Sequence, residues 1–295
     1  MSQILEIARS AVMASRTALE VTAQNVANSQ TPGYIRQRVS LAPVALSDPG
    51  GSGSVGNGVT VQAIERLRNQ CLEAQINHQE GQLGQDRALS ESLSRVEAYF
   101  GDLSGGGLSE ALGGFFNALQ KVQTAPDSAV AREEVIYSAD SFARQTRTLS
   151  AQLTQERALL GTELEQHVEQ ANVLLQEVAD LNKRIMPLGD NPQANDLKVR
   201  REEAVRELAG LCGASAVDQP GGAQDVLLGG LRLVQGTEVT ELSLGRRAAG
   251  RTVMAGGVEV DSLGGEIAGY TKARQQHLAD WQQSLDDLAS SFADA

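Results

Sequence analysis

The run Gly51-Ser52-Gly53-Ser54-Val55-Gly56 has the G-x-G-x-x-G spacing with which backbone N–H groups at a helix N-terminus hold a pyrophosphate. That chemistry needs a strand before the glycines and a helix after them. Here Pro49-Gly50 precedes the run, and Val59-Thr60-Val61 with Ile64, a strand pattern, follows it. A loop fits better. A soluble nucleotide-binding or regulatory helical protein is the alternative that this run supports.

The other reactive residue types form no constellation. His78, His167 and His277 are flanked by polar helical residues, and none has a second His or Cys at metal-ligand spacing, so all three read as solvated helix faces. No serine sits in a Gly-x-Ser-x-Gly elbow. Cys71 and Cys212 have no nearby histidine and read as reduced thiols or small buried apolar groups. The adjacent pairs Glu133-Glu134, Glu202-Glu203 and Asp286-Asp287 point apart on a helix and read as solvated charge. The reading is therefore of a non-enzyme with no catalytic residue, no metal and no cofactor.

Composition narrows the class further. A net charge of −12 over 295 residues repels nucleic acid and anionic lipid. No stretch of about 18 apolar residues exists, so membrane insertion is not expected. Residues 1–14 lack a cationic start, a continuous apolar run and a cleavage site, so no cleaved signal peptide is read. Aromatics are 3% of the chain, which leaves Ala, Leu and Val to build the core. Such side chains suit long helices packed side by side. The predicted fold is mainly α: an elongated bundle of long helices, with a small antiparallel β unit and a Gly-rich β-hairpin segment after the N-terminal helix.

The first 28 residues read as one helix. Leu5, Val12, Leu19 and Val26 recur every seven residues, with Ala8, Ser15 and Thr22 three positions on. That is an a/d seam, large at one position and small at the other. A helix with one narrow apolar stripe gains little alone and requires a partner helix, in this chain or in another. Asn28 to Gly33 ends it with turn formers. An extended segment follows over 34–47, and Asn57-Gly58 suits the turn of a hairpin. Helical spacing returns from Leu67 to Phe100, with Gly81 and Gly84 arguing against an unbroken helix. Gly105-Gly106-Gly107 breaks it before a short helix carrying Phe115, Phe116 and Leu119. After Pro126-Asp127 come the longest helix, Ala129 to Ile185, and another over Asn195 to Leu211. Residues 213–260 alternate between Gly-rich turns as one β unit, and Ile267 to Phe292 reads as a final helix. Five segments result: 1–33 for axial packing, 34–66 extended, 67–212 long-helix, 213–265 β, and 266–295 helical.

Ala18-Leu19, Asn25-Val26-Ala27-Asn28, Thr31-Pro32-Gly33-Tyr34 and Arg36-Gln37 resemble the N-terminal signature of flagellar rod, hook and hook-associated proteins. Four further matches resemble the hook–filament junction branch of that family. They are Val55 to Val61; Phe115-Phe116 with Leu119-Gln120, Pro126 and Ala131-Arg132; Leu197, Arg201-Glu202 and Val205 with Leu233 to Gly236; and Gly264-Gly265 with Leu288 to Ala293. Val199 departs from an acidic position of the family.

The resemblance implies a structural adaptor between hook and filament, with another axial component (rod or hook protein) as the alternative. Implied partners are copies of itself in a ring, the hook protein, the second junction protein, the type III export apparatus and its chaperone. The implied location is the flagellum, outside the cell after export from the cytoplasm without a cleaved signal peptide. The seam helix packs in the inner tube, and the signature turn sets the angle to the outer domain. The family continues well beyond this length to a second terminal helix, so the chain is expected to stop short of the family's C-terminus.

Overall fold

The computed structural model describes residues 2–31, 33–44, 56–100, 107–189, 191–247 and 250–294. Pro32, Pro49-Gly50, Gly51 to Val55 and Gly105-Gly106, all singled out above, lie outside the described residues. In chain order come α1 (Ser2–Ala27), β1 (Gln37–Pro43), β2 (Val59–Arg66), α2 (Gln70–Phe100), α3 (Leu108–Thr124) and α4 (Ala129–Ile185). A 3-10 turn leads into α5 (Asn195–Cys212). Then follow β3 (Ser215–Asp218), β4 (Gln224–Leu228), β5 (Leu231–Gln235), β6 (Glu238–Val239), β7 (Leu242–Arg247), β8 (Gly250–Ala255) and β9 (Val258–Glu259). The chain closes with α6 (Gly265–Lys272), a π turn over Ala273–His277, and α7 (Leu278–Asp294). The fold is mainly α with small antiparallel sheets, as the composition predicts. No described helix is long and apolar enough to cross a membrane.

The single β unit expected over 213–260 resolves into two sheets, β3-β4-β5-β6 and β7-β8-β9. They fall in different compact units. Residues 1–78, 173–208 and 214–241 make one, and residues 79–172, 209–213 and 242–295 make the other.

In the first unit, the C-terminal turns of α4 and most of α5 bury Leu175, Val178, Ile185, Val205 and Leu208, and the four-stranded sheet buries Val226, Leu228, Leu233 and Val234. Asn182, fully buried, joins these layers. Its Nδ2 donates to Gln224 O (2.8 Å) and Gly236 O (2.6 Å), and its Oδ1 accepts from Gln224 N (3.1 Å) and Arg201 Nη1 (2.7 Å). All four hydrogen-bonding positions of the amide are used, which removes the penalty for burying it.

In the second unit, α4 buries Phe142, Leu149, Leu153, Leu160 and Leu164, and α6 and α7 add Ile267, Leu278 and Leu285. Phe292 closes one end against Phe142, with ring centroids 4.5 Å apart, and against Phe115 at 4.7 Å. The buried Glu156 carboxylate accepts from Arg95 Nε (2.8 Å) and Tyr99 Oη (2.8 Å), so this α4 charge is paired with α2. Glu156 raises the Tyr99 hydroxyl above its ordinary value by accepting that bond, and burial acts the same way.

Gly81 and Gly84 do not interrupt α2, because backbone packing occupies the space a side chain would take. A Cβ on Gly81 would meet Ala209 O at 3.1 Å, and one on Gly84 would land on Gly210 O. Gly269 of α6 sits as closely over Gln85 O, while Gly213 and Gly264 approach each other backbone to backbone. Three segments of the second unit thus meet at main-chain distance. The helix-propensity argument loses here to tertiary packing.

Both cysteines fit the expectation of reduced thiols or small buried groups, whereas the expectations for several other polar residues change. Cys71 is exposed, whereas Cys212 is buried. His167 is half-buried rather than solvated: it stacks on Tyr270 (centroids 5.1 Å apart) with Glu266 Oε2 3.3 Å from its Nδ1. His277 packs near Trp281, at 6.0 Å. Glu202 is ion-paired, not solvated.

Candidate assembly interface

The N-terminal helix has two faces. Ala14 and Val21 are buried, and Ile7, Ser10, Thr17 and Asn25 are half-buried on the same side. These positions repeat at three and four residues, as a docked helix stripe does. The sequence reading allowed only one stripe; the helix carries a second, made of smaller residues, and this one meets the β1–β2 hairpin.

At one end of the contact, Ser10 Oγ accepts from Val59 N (3.2 Å), and Gly58 lies so close that a Cβ there would fall on Ser10 Oγ. Gly58 also has φ +99°, which favours glycine. At the other end, Asn25 Nδ2 donates to Gln37 O (2.8 Å), and its Oδ1 accepts from Gln37 N (2.9 Å) and Tyr34 Oη (3.0 Å). From Ser10 to Asn25 a helix rises about 22 Å. Six strand steps from Gln37 to Pro43 cover about 20 Å. The hairpin therefore lies along most of α1.

The predicted seam faces away from this contact. Leu5, Val12, Leu19 and Val26 are 70%, 68%, 71% and 70% exposed, and Ala8, Ser15 and Thr22 are exposed as well. The two stripes are offset by two residues, about 200° around the helix, so they occupy opposite faces. Ile4 and Met13 widen the exposed one. An apolar row of this length is not a feature that isolated surface residues explain. Burying those four large side chains would be worth about 2 kcal/mol each.

The signature turn is held by local hydrogen bonds. Asn28 Nδ2 donates to Gln24 O (3.0 Å), Thr31 N donates to Asn28 O (3.0 Å), and Thr31 Oγ1 donates to Asn28 Oδ1 (3.3 Å). Tyr34 N donates to Thr31 O (3.2 Å), and Gly33 takes φ +79°. Arg36 is exposed, but its carbonyl accepts from Leu67 N (2.9 Å), where β2 ends. Structure thus brings Asn25, Tyr34 and Gln37 together around one amide, with Asn28 and Thr31 one turn away.

Ion pairs that the sequence did not reveal fix the end of the hairpin to α5 and β3 within the first unit. Arg66, at the end of β2, makes a two-pronged pair with Glu202 of α5, at 2.8 and 2.5 Å. Arg68 adds Glu73, Glu202 (3.1 Å) and Asp218 (3.3 Å). Burial alone would lower the Arg68 pKa, but these three carboxylates together raise it. Arg201 goes the other way: burial lowers it, against smaller opposing effects of Asp218 and Glu202. Only long-range placement identifies Glu202 and Asp218 as partners.

Asn25→Ala removes three hydrogen bonds and leaves the Gln37 backbone unpaired beneath Tyr34. The expected loss is about 2 kcal/mol. Hydrogen exchange at the Gln37 amide is expected to rise more than tenfold while the amides of β4 are unchanged.

The glycine-rich run yields no phosphate cradle at its described end, since β2, a strand, follows Gly56 and supplies no helix N-terminus. Among the described residues no group of three or more His, Cys, Asp or Glu is placed to hold a metal ion.

Residues 93–295 match the model of the flagellar hook-associated protein FlgK helical domain, and residues 5–34 match that of the flagella basal body rod protein. Flagellar hook-associated protein 1 of Salmonella typhimurium is 28% identical over 310 residues, an alignment covering 100% of this chain and 56% of the relative. Its Bacillus subtilis counterpart is 32% identical over 216 residues, covering 70% of this chain and 42% of the relative. The chain thus spans little more than half the length of the Salmonella typhimurium relative. The flagellar hook junction protein FlgK from Burkholderia pseudomallei superposes with a TM-score of 0.56 at 23% identity, over 70% of this chain and 39% of that one, a likeness of fold.

Proposed function

Because the chain belongs to the flagellar hook-associated protein FlgK family, we propose that it is a structural, non-catalytic subunit of the bacterial flagellum that joins hook to filament. The observation that carries this reading is the two-faced α1. Its small-residue face is occupied by the hairpin, and its large-residue face stands exposed at Leu5, Val12, Leu19 and Val26. A subunit that must pack helices into a shared tube needs such a split. The Asn25–Gln37 clamp and the signature turn hold the hairpin on one side and leave the seam clear.

The partners we assign are copies of the chain in a ring, the hook protein below and the second junction protein above. Export runs through the flagellar type III pathway with its chaperone, and the location is outside the cell. Segment 1–33 is the tube-packing part and 34–66 its bracket. The match of residues 5–34 to the rod protein supports a second reading, a rod component, since those positions are common to axial proteins. The helical domain over 93–295 favours the junction.

Immunogold labelling of the tagged chain on intact flagella tests the assignment. A band at the hook–filament boundary is expected. Label in the rod or along the hook would move the chain to another axial position.

A further inference from the structure

Three arginines of the second compact unit converge from separate elements: Arg157 of α4, Arg251 of β8 and Arg274 of the π turn. Arg274 Nε donates to Arg157 O (3.1 Å). Arg251 Nη1 reaches Gly161 O (3.4 Å) and pairs with Glu165, whose side chain is 53% exposed. Arg157 Nη1 donates to Gln282 Oε1 (3.3 Å), and Gln275 of the π turn donates to Arg251 O. In a chain of net charge −12, three neighbouring guanidinium groups concentrate positive charge at one place, and Glu165 pairs with Arg251 among them.

Arg274 is the member least provided for. Its Nη1 is buried and has no hydrogen-bond partner among the described residues. Burial lowers its pKa, Arg157 and Arg251 lower it further, and no carboxylate acts against them. A charged donor buried without an acceptor keeps the desolvation cost of its lost water with nothing to offset it. The π turn, a local irregularity concentrated at functional positions, sets this side chain against Arg157. Planar guanidinium groups offer paired N–H donors that match an oxyanion.

We propose that Arg157, Arg251 and Arg274 form an oxyanion-binding site, which nothing in the family reading requires. Two sources supply that chemistry, a dissolved inorganic oxyanion and the carboxylate of an acidic peptide segment. The test titrates sodium sulfate and, separately, triglutamate into the full chain at fixed ionic strength, followed by calorimetry. Saturable binding of at least one is expected, weakened tenfold or more by Arg274→Gln and by Arg251→Gln. Arg251 is partly exposed, so its variant reports even where Arg274→Gln perturbs folding. Sulfate binding without triglutamate binding assigns a dissolved ion, and tighter triglutamate binding assigns a peptide carboxylate. Absence of saturable binding by the native chain, or binding unchanged in a folded Arg251→Gln variant, overturns the site and leaves water as the partner of Arg274.

Discussion

Leu19→Asp is expected to abolish motility and incorporation into the flagellum while leaving the isolated chain as stable as before. Leu19 is 71% exposed, and exposed substitutions usually change stability by less than about 0.5 kcal/mol. In an assembled tube the same position would be covered, and an unpaired carboxylate would be driven out of water. Loss of the leucine's burial alone removes about 2 kcal/mol per copy. Desolvation of the charge adds more. Val21→Asp is the contrasting variant. Val21 is 9% exposed on the hairpin side of the same helix, so this change should weaken the isolated chain. Denaturation curves and swimming assays on the two variants separate the faces. A motile Leu19→Asp strain with normal filaments would remove the seam from the account.

Gly265→Val is expected to destabilise the second unit by about 4 kcal/mol, from backbone strain and overpacking together. Gly265 has φ +64°, and a Cβ there would fall on Gly210 O and the Leu211 carbonyl carbon. Neither neighbour is a flexible side-chain tip, so relief requires moving α6 away from the end of α5. Urea unfolding monitored at Trp281 on α7 reads the effect. Gly113→Ala supplies the opposite control. It lies in α3, and beyond its chain neighbours and the nearby backbone of its own helix no described atom comes within 4 Å of its Cβ position, so the substitution should stabilise by about 0.5–1 kcal/mol. Equal effects of the two changes would mean that the close backbone contacts carry no strain.

The sequence revealed the outer face of α1 because Leu5, Val12, Leu19 and Val26 are large and evenly spaced. It hid the inner face, although Ile7, Ala14 and Val21 also recur every seven residues. Their partners on that face, Ser10, Thr17 and Asn25, are polar, and a hydrophobicity pattern passes over them. The same limit applies to asparagine. Asn25, Asn172 and Asn182 each pair both amide atoms with the backbone of one residue at the start of a strand: Gln37, Leu242 (2.9 and 2.8 Å) and Gln224. Only Asn25 drew notice, through the signature resemblance. The other two sit among ordinary helical residues, and their partners are 70 and 42 positions away.

Long helices were legible because their breakers, Pro126, Pro187 and Pro192, fall at or beyond their ends. The division of residues 213–260 into two sheets was not. Gly229-Gly230 and Gly256-Gly257 mark equivalent hairpins, and no local signal says that β6 and β7 part company. Arg66 and Glu202 are 136 positions apart, so their pairing is a property of the folded chain alone. Gly81 and Gly84 were read by helix propensity, and packing against Ala209 and Gly210 reversed that reading.

A thiol-accessibility comparison addresses the outer stripe of α1 most directly. Val12→Cys, made with Cys71→Ser because Cys71 is itself exposed, is treated with maleimide as the isolated subunit and within purified flagella. Rapid labelling of the isolated chain and at least tenfold protection after assembly are expected. Equal labelling in both states would show that no partner helix covers the stripe, and the tube-packing role of the N-terminal helix would be wrong.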